Sequence, residues 1–396
     1  MMDIYGNKEL KIKIKTITAS FLIWKVGLLL SLIFAINFIP LAHQDRFLGG
    51  GFNNYQQLPQ LFAWANFDGE HYLSIAIIGY KGLEQAFFPV YPKLISIMAQ
   101  PFYNQIDLVK DLFPALFYST FFGLFIANLF LWLSLFLLWD LLKIDYPQRI
   151  VTLTIILILI FPTSFFLGAV YSESTYLLLS VATFYFARKK RWFWACLFGL
   201  IASATRIFGI LFLPALIIEA WQQKESAKKA WWILFVPFGL FLYMYYQYIS
   251  VGDPLAFYHL QKIVGEQHQS GLTSLPQVYY RYLKMFFTVD IKDPIYQTMV
   301  LEFLTGILFF VLPIYGYFKK IRLSYLFYSL VGFLTPTIQG SFSSVPRYIL
   351  VFFPSFLILA LWLNTKPWWV KFVCLSCSGF LLIIETILFL RGYWVA

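Results

Sequence analysis

Charge is what this chain has least of: Asp, Glu, Lys and Arg make 12% of its 396 residues, against 60% hydrophobic and 21% aromatic. Apolar runs long enough to cross a bilayer recur from end to end, which excludes an ordinary soluble domain and predicts an all-α polytopic membrane protein. Cysteine is nearly absent. Cys196, Cys374 and Cys377 lie in apolar stretches, where Cys behaves as a small hydrophobe, and the Cys374/Cys377 spacing lacks the further ligands a metal or redox pair would need. No Asn-x-Ser/Thr acceptor occurs, which favours a prokaryotic source. Without a Gly-rich phosphate-cradling motif, no nucleotide-binding fold is required. The net charge of +11 does not point to nucleic acid, because Lys and Arg fall in short clusters between apolar segments, as cytoplasmic turns do.

Candidate spans run over 17–42, 112–142, 149–170, 298–318, 322–339, 347–364 and 369–390, with shorter or broken segments at 173–187, 192–219 and 231–250. Together they predict about 9–11 membrane segments in one membrane domain, 1–396. The first span carries Lys25, is too long for a signal-peptide core and lacks a small-residue cleavage site, so it reads as a retained anchor behind a cytoplasmic tail, 1–16. Basic clusters occur at Lys8–Lys15, Lys143/Arg149, Arg188–Arg191, Lys224–Lys229, Lys319–Arg322 and Lys366/Lys371. All six are cytoplasmic only if 192–219 enters the membrane and returns as two half-helices, broken near Arg206 and Gly209. A single tilted span is the other reading. With the hairpin, residues 43–111 and 251–297 form two outer loops.

Depth gives a second constraint. Glu173 lies 15 residues before Arg188 and Arg206 lies 15 after Arg191, which at 1.5 Å per residue sets both roughly 22 Å above one basic turn. Ionisable groups at that depth are costly unless paired or facing a polar cavity, so a cavity recessed into the outer leaflet is expected. In the first outer loop, Tyr72–Ile78 and Leu94–Met98 read as two short interfacial helices, with Pro92 in the first turn of the second.

The densest chemistry stands in Phe67-Asp68-Gly69-Glu70-His71-Tyr72. Asp68 before a helix is a good N-cap and Glu70 a favourable first-turn carboxylate; equally, Asp68 suits a general base for an acceptor hydroxyl, with Glu70 or His71 assisting. Residues two apart do not face each other on a helix, so joint use of Asp68 and Glu70 needs the loop geometry Gly69 permits. Asp, Glu and His donors also suit a divalent metal, but the local ligand count is thin and metal stays unassigned. Glu173 and Arg206 either pair to hold a helical hairpin or line a pocket in which Arg206 offers a fork of donors to phosphate. Arg347-Tyr348 is either a snorkelling helix end or a second phosphate group-binder. Trp64 and Tyr72 are candidates to stack on a sugar ring. Asp253 before Pro254 reads as a turn.

Taken together, Phe67-Asp68-Gly69-Glu70-His71-Tyr72-Leu73, Gly79-Tyr80, Ala86-Phe87-Phe88-Pro89-Val90-Tyr91-Pro92, Tyr171-Ser172-Glu173-Ser174, Arg206 with Gly209, Gly252-Asp253-Pro254 and Arg347-Tyr348 resemble the PIG-V type mannosyltransferases, here a bacterial member. Phe67 stands where Trp is expected. The resemblance implies a GT-C fold and an enzyme moving a sugar, mannose foremost, from a polyprenyl-phosphate donor to a hydroxyl of a lipid-linked or cell-surface glycan. It implies inversion, with Asp68 in the catalytic acidic position on the outer face of the plasma membrane. The lipid-linked sugar would be the co-substrate, with no cofactor required. A transporter or flippase of lipid-linked sugars is the rival reading, since it too needs a lipid-accessible polar cavity.

Overall fold

The computed structural model describes residues 2–42, 48–108, 110–264 and 273–395, and among these no strand occurs. Parts of the two expected outer loops, 43–47 and 265–272, lie outside the described residues. The helices of nine residues or more are α1 (Met2–Phe38), α2 (Asp68–Ile78), α3 (Val90–Ala99), α4 (Phe113–Leu142), α5 (Gln148–Leu159), α6 (Glu173–Arg188), α7 (Trp192–Ser203) and α8 (Phe212–Gln222). They continue with α9 (Phe238–Val251), α10 (Ala256–Val264), α11 (Leu275–Thr288), α12 (Pro294–Phe318), α13 (Leu323–Thr337), α14 (Phe353–Asn364) and α15 (Trp368–Leu390).

Among the described residues, five helical stretches are long and apolar enough to span a bilayer: Glu9–Phe38, Phe113–Leu142, Ala227–Val251, Pro294–Phe318 and Trp368–Leu390. A sixth, Val345–Val351 with Phe353–Asn364, is bent by 89°. The expected tail, 1–16, is helical from Met2 and continuous with α1. The chain is a multi-pass membrane protein.

Three expected spans differ, the first being 322–339, which is helical only over the 15 residues Leu323–Thr337. Over 149–170 the helix stops at Leu159, and the chain then runs buried through turns to Glu173. Irregular backbone at membrane depth survives only where protein satisfies it. Here Thr163 donates to Pro346 O at 2.6 Å, and Asn128 Nδ2 to Gly168 O at 3.1 Å. The span 347–364 is likewise broken, at the turn before Pro354.

Ion pairs gather most of the basic clusters, all but Lys366/Lys371, at one end of the bundle. Lys13 meets Asp140 at 2.7 Å, Lys143 meets Glu9 at 3.1 Å, Lys190 meets Glu225 at 3.7 Å, and Arg322 meets Glu219 at 2.7 Å. The stretch 192–219 leaves this end and returns to it: Gln223 Nε2 donates to Ala187 O at 3.0 Å, and Arg188 lies 3.5 Å from Glu219. It is therefore the hairpin, not the tilted span. Its close return depends on Gly209, where a Cβ would sit 2.3 Å from the backbone nitrogen of Ser203. The break between the half-helices falls at 204–206, placing Arg206 at the tip.

At the opposite end, α2 and α3 are the two expected short helices, packed on each other and on α4. Pro92 occupies the first turn of α3, as its missing N–H allows.

Candidate active site

The site begins with an anchored turn. Asn66 is fully buried: its side chain accepts from Gly49 N at 2.9 Å and donates to Phe389 O at 2.8 Å, while its carbonyl accepts from the Tyr171 hydroxyl at 2.8 Å. Phe67 then adopts φ 57°, a left-handed conformation uncommon outside Gly and Asn, held by edge-on packing against Trp394 at 5.6 Å. That turn makes Phe67 the residue capping α2 and Asp68 its first residue. The expected N-cap role of Asp68 is thus displaced by one position, and its carboxylate is free for a longer-range partner.

That partner is Arg347. Its Nη1 lies 2.6 Å from Asp68 Oδ2, and its Nε lies 3.6 Å from Glu173 Oε1. The same Glu173 oxygen meets Arg206 Nη1 at 2.7 Å. Arg206 also donates to Ser172 Oγ at 3.2 Å, and the Tyr72 hydroxyl meets that oxygen at 3.0 Å. Four charged residues separated by up to 279 positions thus form one chain of contacts, two guanidiniums against two carboxylates, formally neutral as burial demands. The depth match between Glu173 and Arg206 is realised as a direct ion pair.

One face of this cluster is open to a cavity of about 120 Å³ lined by Asp68, Tyr72, Arg206, Gln339, Arg347 and Tyr348. At roughly 30 Å³ per water, it has room for about four waters. Arg347 Nη2 donates to the Tyr348 hydroxyl at 3.3 Å. Burial, and next the Glu173 carboxylate, raise the Tyr72 pKa above the ordinary phenol value and keep it a proton donor. The buried Glu173 Oε2 has no hydrogen-bond partner, and neither does Arg347 Nε. Beside the cavity, α2 and α3 face α7 and α9 across a mostly apolar groove of about 640 Å³, lined by Ile75, Tyr80, Val90, Leu200, Gly239 and Tyr243.

Three residues expected at the site stand elsewhere. Glu70 turns away and accepts from Gly51 N at 3.2 Å; burial pushes its carboxyl up to about 7 against that hydrogen bond. The reason is helical geometry, since positions 68 and 70 of one helix point about 200° apart. The His71 ring stacks on Phe87 at 4.8 Å, one layer behind the cavity wall. Trp64 precedes the Phe67 turn and lies under the Lys25 ammonium at 5.2 Å, in a different groove. Asp253 makes the expected turn, accepting from Leu255 N at 2.9 Å, and pairs with His259 at 2.7 Å. Sequence reasoning did not single out Gln339 or Ser172; for Gln339, a polar residue soon after Pro336 at the end of an apolar segment was the available signal. Among the described residues, no three or more His, Cys, Asp or Glu side chains are grouped to hold a metal ion.

The family model described as mannosyltransferase (PIG-V) matches residues 25–251, more than half of the chain, including Asp68, Glu173 and Arg206. The chain belongs to this family. In three dimensions it resembles the apo oligosaccharyltransferase of Archaeoglobus fulgidus, at 14% identity and a TM-score of 0.46, over 95% of this chain and 56% of that one. The same enzyme tethered to an acceptor peptide containing the NVT sequon matches at 12% identity and 0.42, over 93% and 55%. The chain thus spans a little over half the length of those structures. Among curated proteins, none matches the sequence.

Proposed function

We propose that the chain transfers a hexose, mannose foremost, from a polyprenyl-phosphate donor to a hydroxyl of a lipid-linked or cell-surface glycan, with inversion, on the outer face of a bacterial plasma membrane. Family membership supports the sugar and the GT-C type of enzyme. The observation that carries the reading is the Asp68–Arg347 pair at the mouth of a cavity where a second arginine, Arg206, also points.

In the step envisaged, the acceptor oxygen bonds to the anomeric carbon, the bond from that carbon to the lipid phosphate breaks, and the acceptor proton passes to Asp68. Negative charge therefore leaves Asp68 and appears on the departing phosphate. Arg347 already touches Asp68, and Arg206 is held ready by Glu173 and Ser172, so both can follow the charge with little reorganisation. Charge-assisted forks of this kind suit phosphate oxygens. Tyr348, paired with Arg347, and Tyr72 would border the sugar. The apolar groove between α2, α3, α7 and α9 would hold the first isoprene units. Glu70 and His71 would act only by steadying α2 and the Phe87 wall, and Trp64 would have no part in sugar stacking.

The test is release of free polyprenyl phosphate from polyprenyl-phosphate mannose in proteoliposomes, with a panel of acceptors, for wild type and Asp68→Asn. Acceptor-dependent release by wild type, lost in the variant while donor binding persists, is the expected result. Movement of the lipid between leaflets without release, unchanged in Asp68→Asn, would replace the transferase by a flippase.

A further inference from the structure

A groove of about 630 Å³ lies between the long helices α1 and α4. Its walls are apolar, and Leu22, Leu29, Phe121 and Phe125 are exposed along it, so it opens sideways to the hydrocarbon. One charged residue lines it. Lys25 stands near the middle of the span Glu9–Phe38, about 24 Å above Glu9 at 1.5 Å per residue. Its ammonium lies 5.2 Å from the centre of the Trp64 ring and 5.9 Å from that of Trp24, and among the described residues it pairs with no carboxylate.

Two neighbouring lysines are treated differently. Lys13, three turns closer to the basic end on the same helix, meets Asp140 at 2.7 Å, and Lys143 at the end of α4 meets Glu9 at 3.1 Å. Contacts with ring faces offset part of the cost of a buried cation, but they do not neutralise it. The chain has therefore left a positive charge without a carboxylate partner, among the described residues, in a groove that faces the hydrocarbon. Asn128 lines the same groove, with its amide nitrogen already given to Leu124 O and Gly168 O.

We propose that this groove binds an anionic phospholipid of the outer leaflet, the phosphate against Lys25 and an acyl chain running inward along Leu22, Leu129 and Trp132. The charge complementarity is direct, and the groove has the long, lipid-open form an acyl chain needs. The sugar donor is a poorer occupant. The groove shares no lining residue with the cavity of Asp68 and Arg347, so a lipid held there has its phosphate outside the reaction centre. The site stands independently of the sugar-transfer reading.

The full-length protein in neutral detergent tests this by thermal unfolding during titration with phosphatidylglycerol or phosphatidylcholine. Phosphatidylglycerol should raise the melting temperature of wild type beyond the effect of phosphatidylcholine. Lys25→Met should start from an equal or higher melting temperature in detergent alone, because a bare charge is gone, and should bind phosphatidylglycerol about tenfold more weakly. Lys25→Arg should keep the preference. Basic surface residues also attract anionic lipid, so the difference between wild type and Lys25→Met is the readout. If Lys25→Met melts lower in detergent alone and retains the full preference, Lys25 is a packing residue and the site is refuted. If polyprenyl phosphate, and not phosphatidylglycerol, gives the Lys25-dependent stabilisation, the phospholipid assignment fails.

Discussion

Two buried carboxylates of this protein, Glu219 and Glu173, each sit between two arginines, and they are treated in opposite ways. At the basic end, Glu219 accepts from Arg322 at 2.7 and 3.1 Å, from Gln223 at 2.6 Å and from Ser324, with Arg188 at 3.5 Å. Both of its oxygens are fully used. Toward the other end, Glu173 is equally buried, yet one oxygen is shared by Arg206 and Arg347 while the other has no partner. A saturated network fixes helices in place. An unsaturated one beside a cavity is poised for a ligand, because a buried polar group without a partner is costly until something fills the gap. The contrast assigns stability to the first cluster and chemistry to the second.

The comparison is most easily broken at Asp68. Asp68→Asn should reduce sugar transfer by on the order of 10² to 10⁴-fold, the range for a lost general base, with donor binding and melting temperature little changed; substantial residual turnover would remove Asp68 from the chemistry. Next in size is Arg347→Lys, which keeps charge but loses the fork. A fall of about 10²-fold in turnover, larger than the change in donor affinity, is expected if the guanidinium follows charge onto the leaving phosphate. Glu219→Ala should act on the other side of the contrast. Leaving Arg322 without its carboxylate, and Arg188 with Asp145 alone, should cost about 3–5 kcal/mol of stability, read as a lower melting temperature, while turnover per folded molecule is kept. Equal loss of turnover would mean that the two clusters are not separable.

The smallest effect concerns Glu70. Its carboxyl is raised by burial to about 7 in the folded protein, against 4.5 as the ordinary value, so the folded state holds the proton more tightly. Its contribution to stability is therefore complete below about pH 4.5 and is lost as pH rises towards 7. Glu70→Gln should flatten melting temperature against pH across that window and leave transfer almost intact. An unchanged slope would show that Glu70 does not carry the dependence.

Much of the architecture was legible because membrane proteins obey simple length and charge rules. The hairpin at 192–219 was one of two readings the basic residues allowed, and the equal depth of Glu173 and Arg206 followed from rise per residue. The two short helices of the first outer loop followed from their amphipathic pattern and Pro92. Proximity in sequence misled at Glu70 and Trp64. Glu70 shares a helix with Asp68 but faces another direction, and Trp64 is separated from it by the reversal at Phe67. The segment 149–170 looked like one span because hydropathy does not register backbone satisfied from afar, as when Thr163 bonds to Pro346 O.

The sequence by itself determined that the chain lives in a membrane, which end carries the basic residues, and which few polar side chains lie too deep to be solvated. Those are consequences of composition and of a fixed rise per residue. Only the tertiary structure decided which of those side chains share a cavity. Asp68 and Arg347 meet across 279 positions because a left-handed residue, a buried asparagine and a broken helix bring two turns together. Only the fold, likewise, left Glu173 with an open oxygen while closing every bond around Glu219. Whether a buried charge is satisfied depends on all the neighbours at once, and no local pattern encodes that.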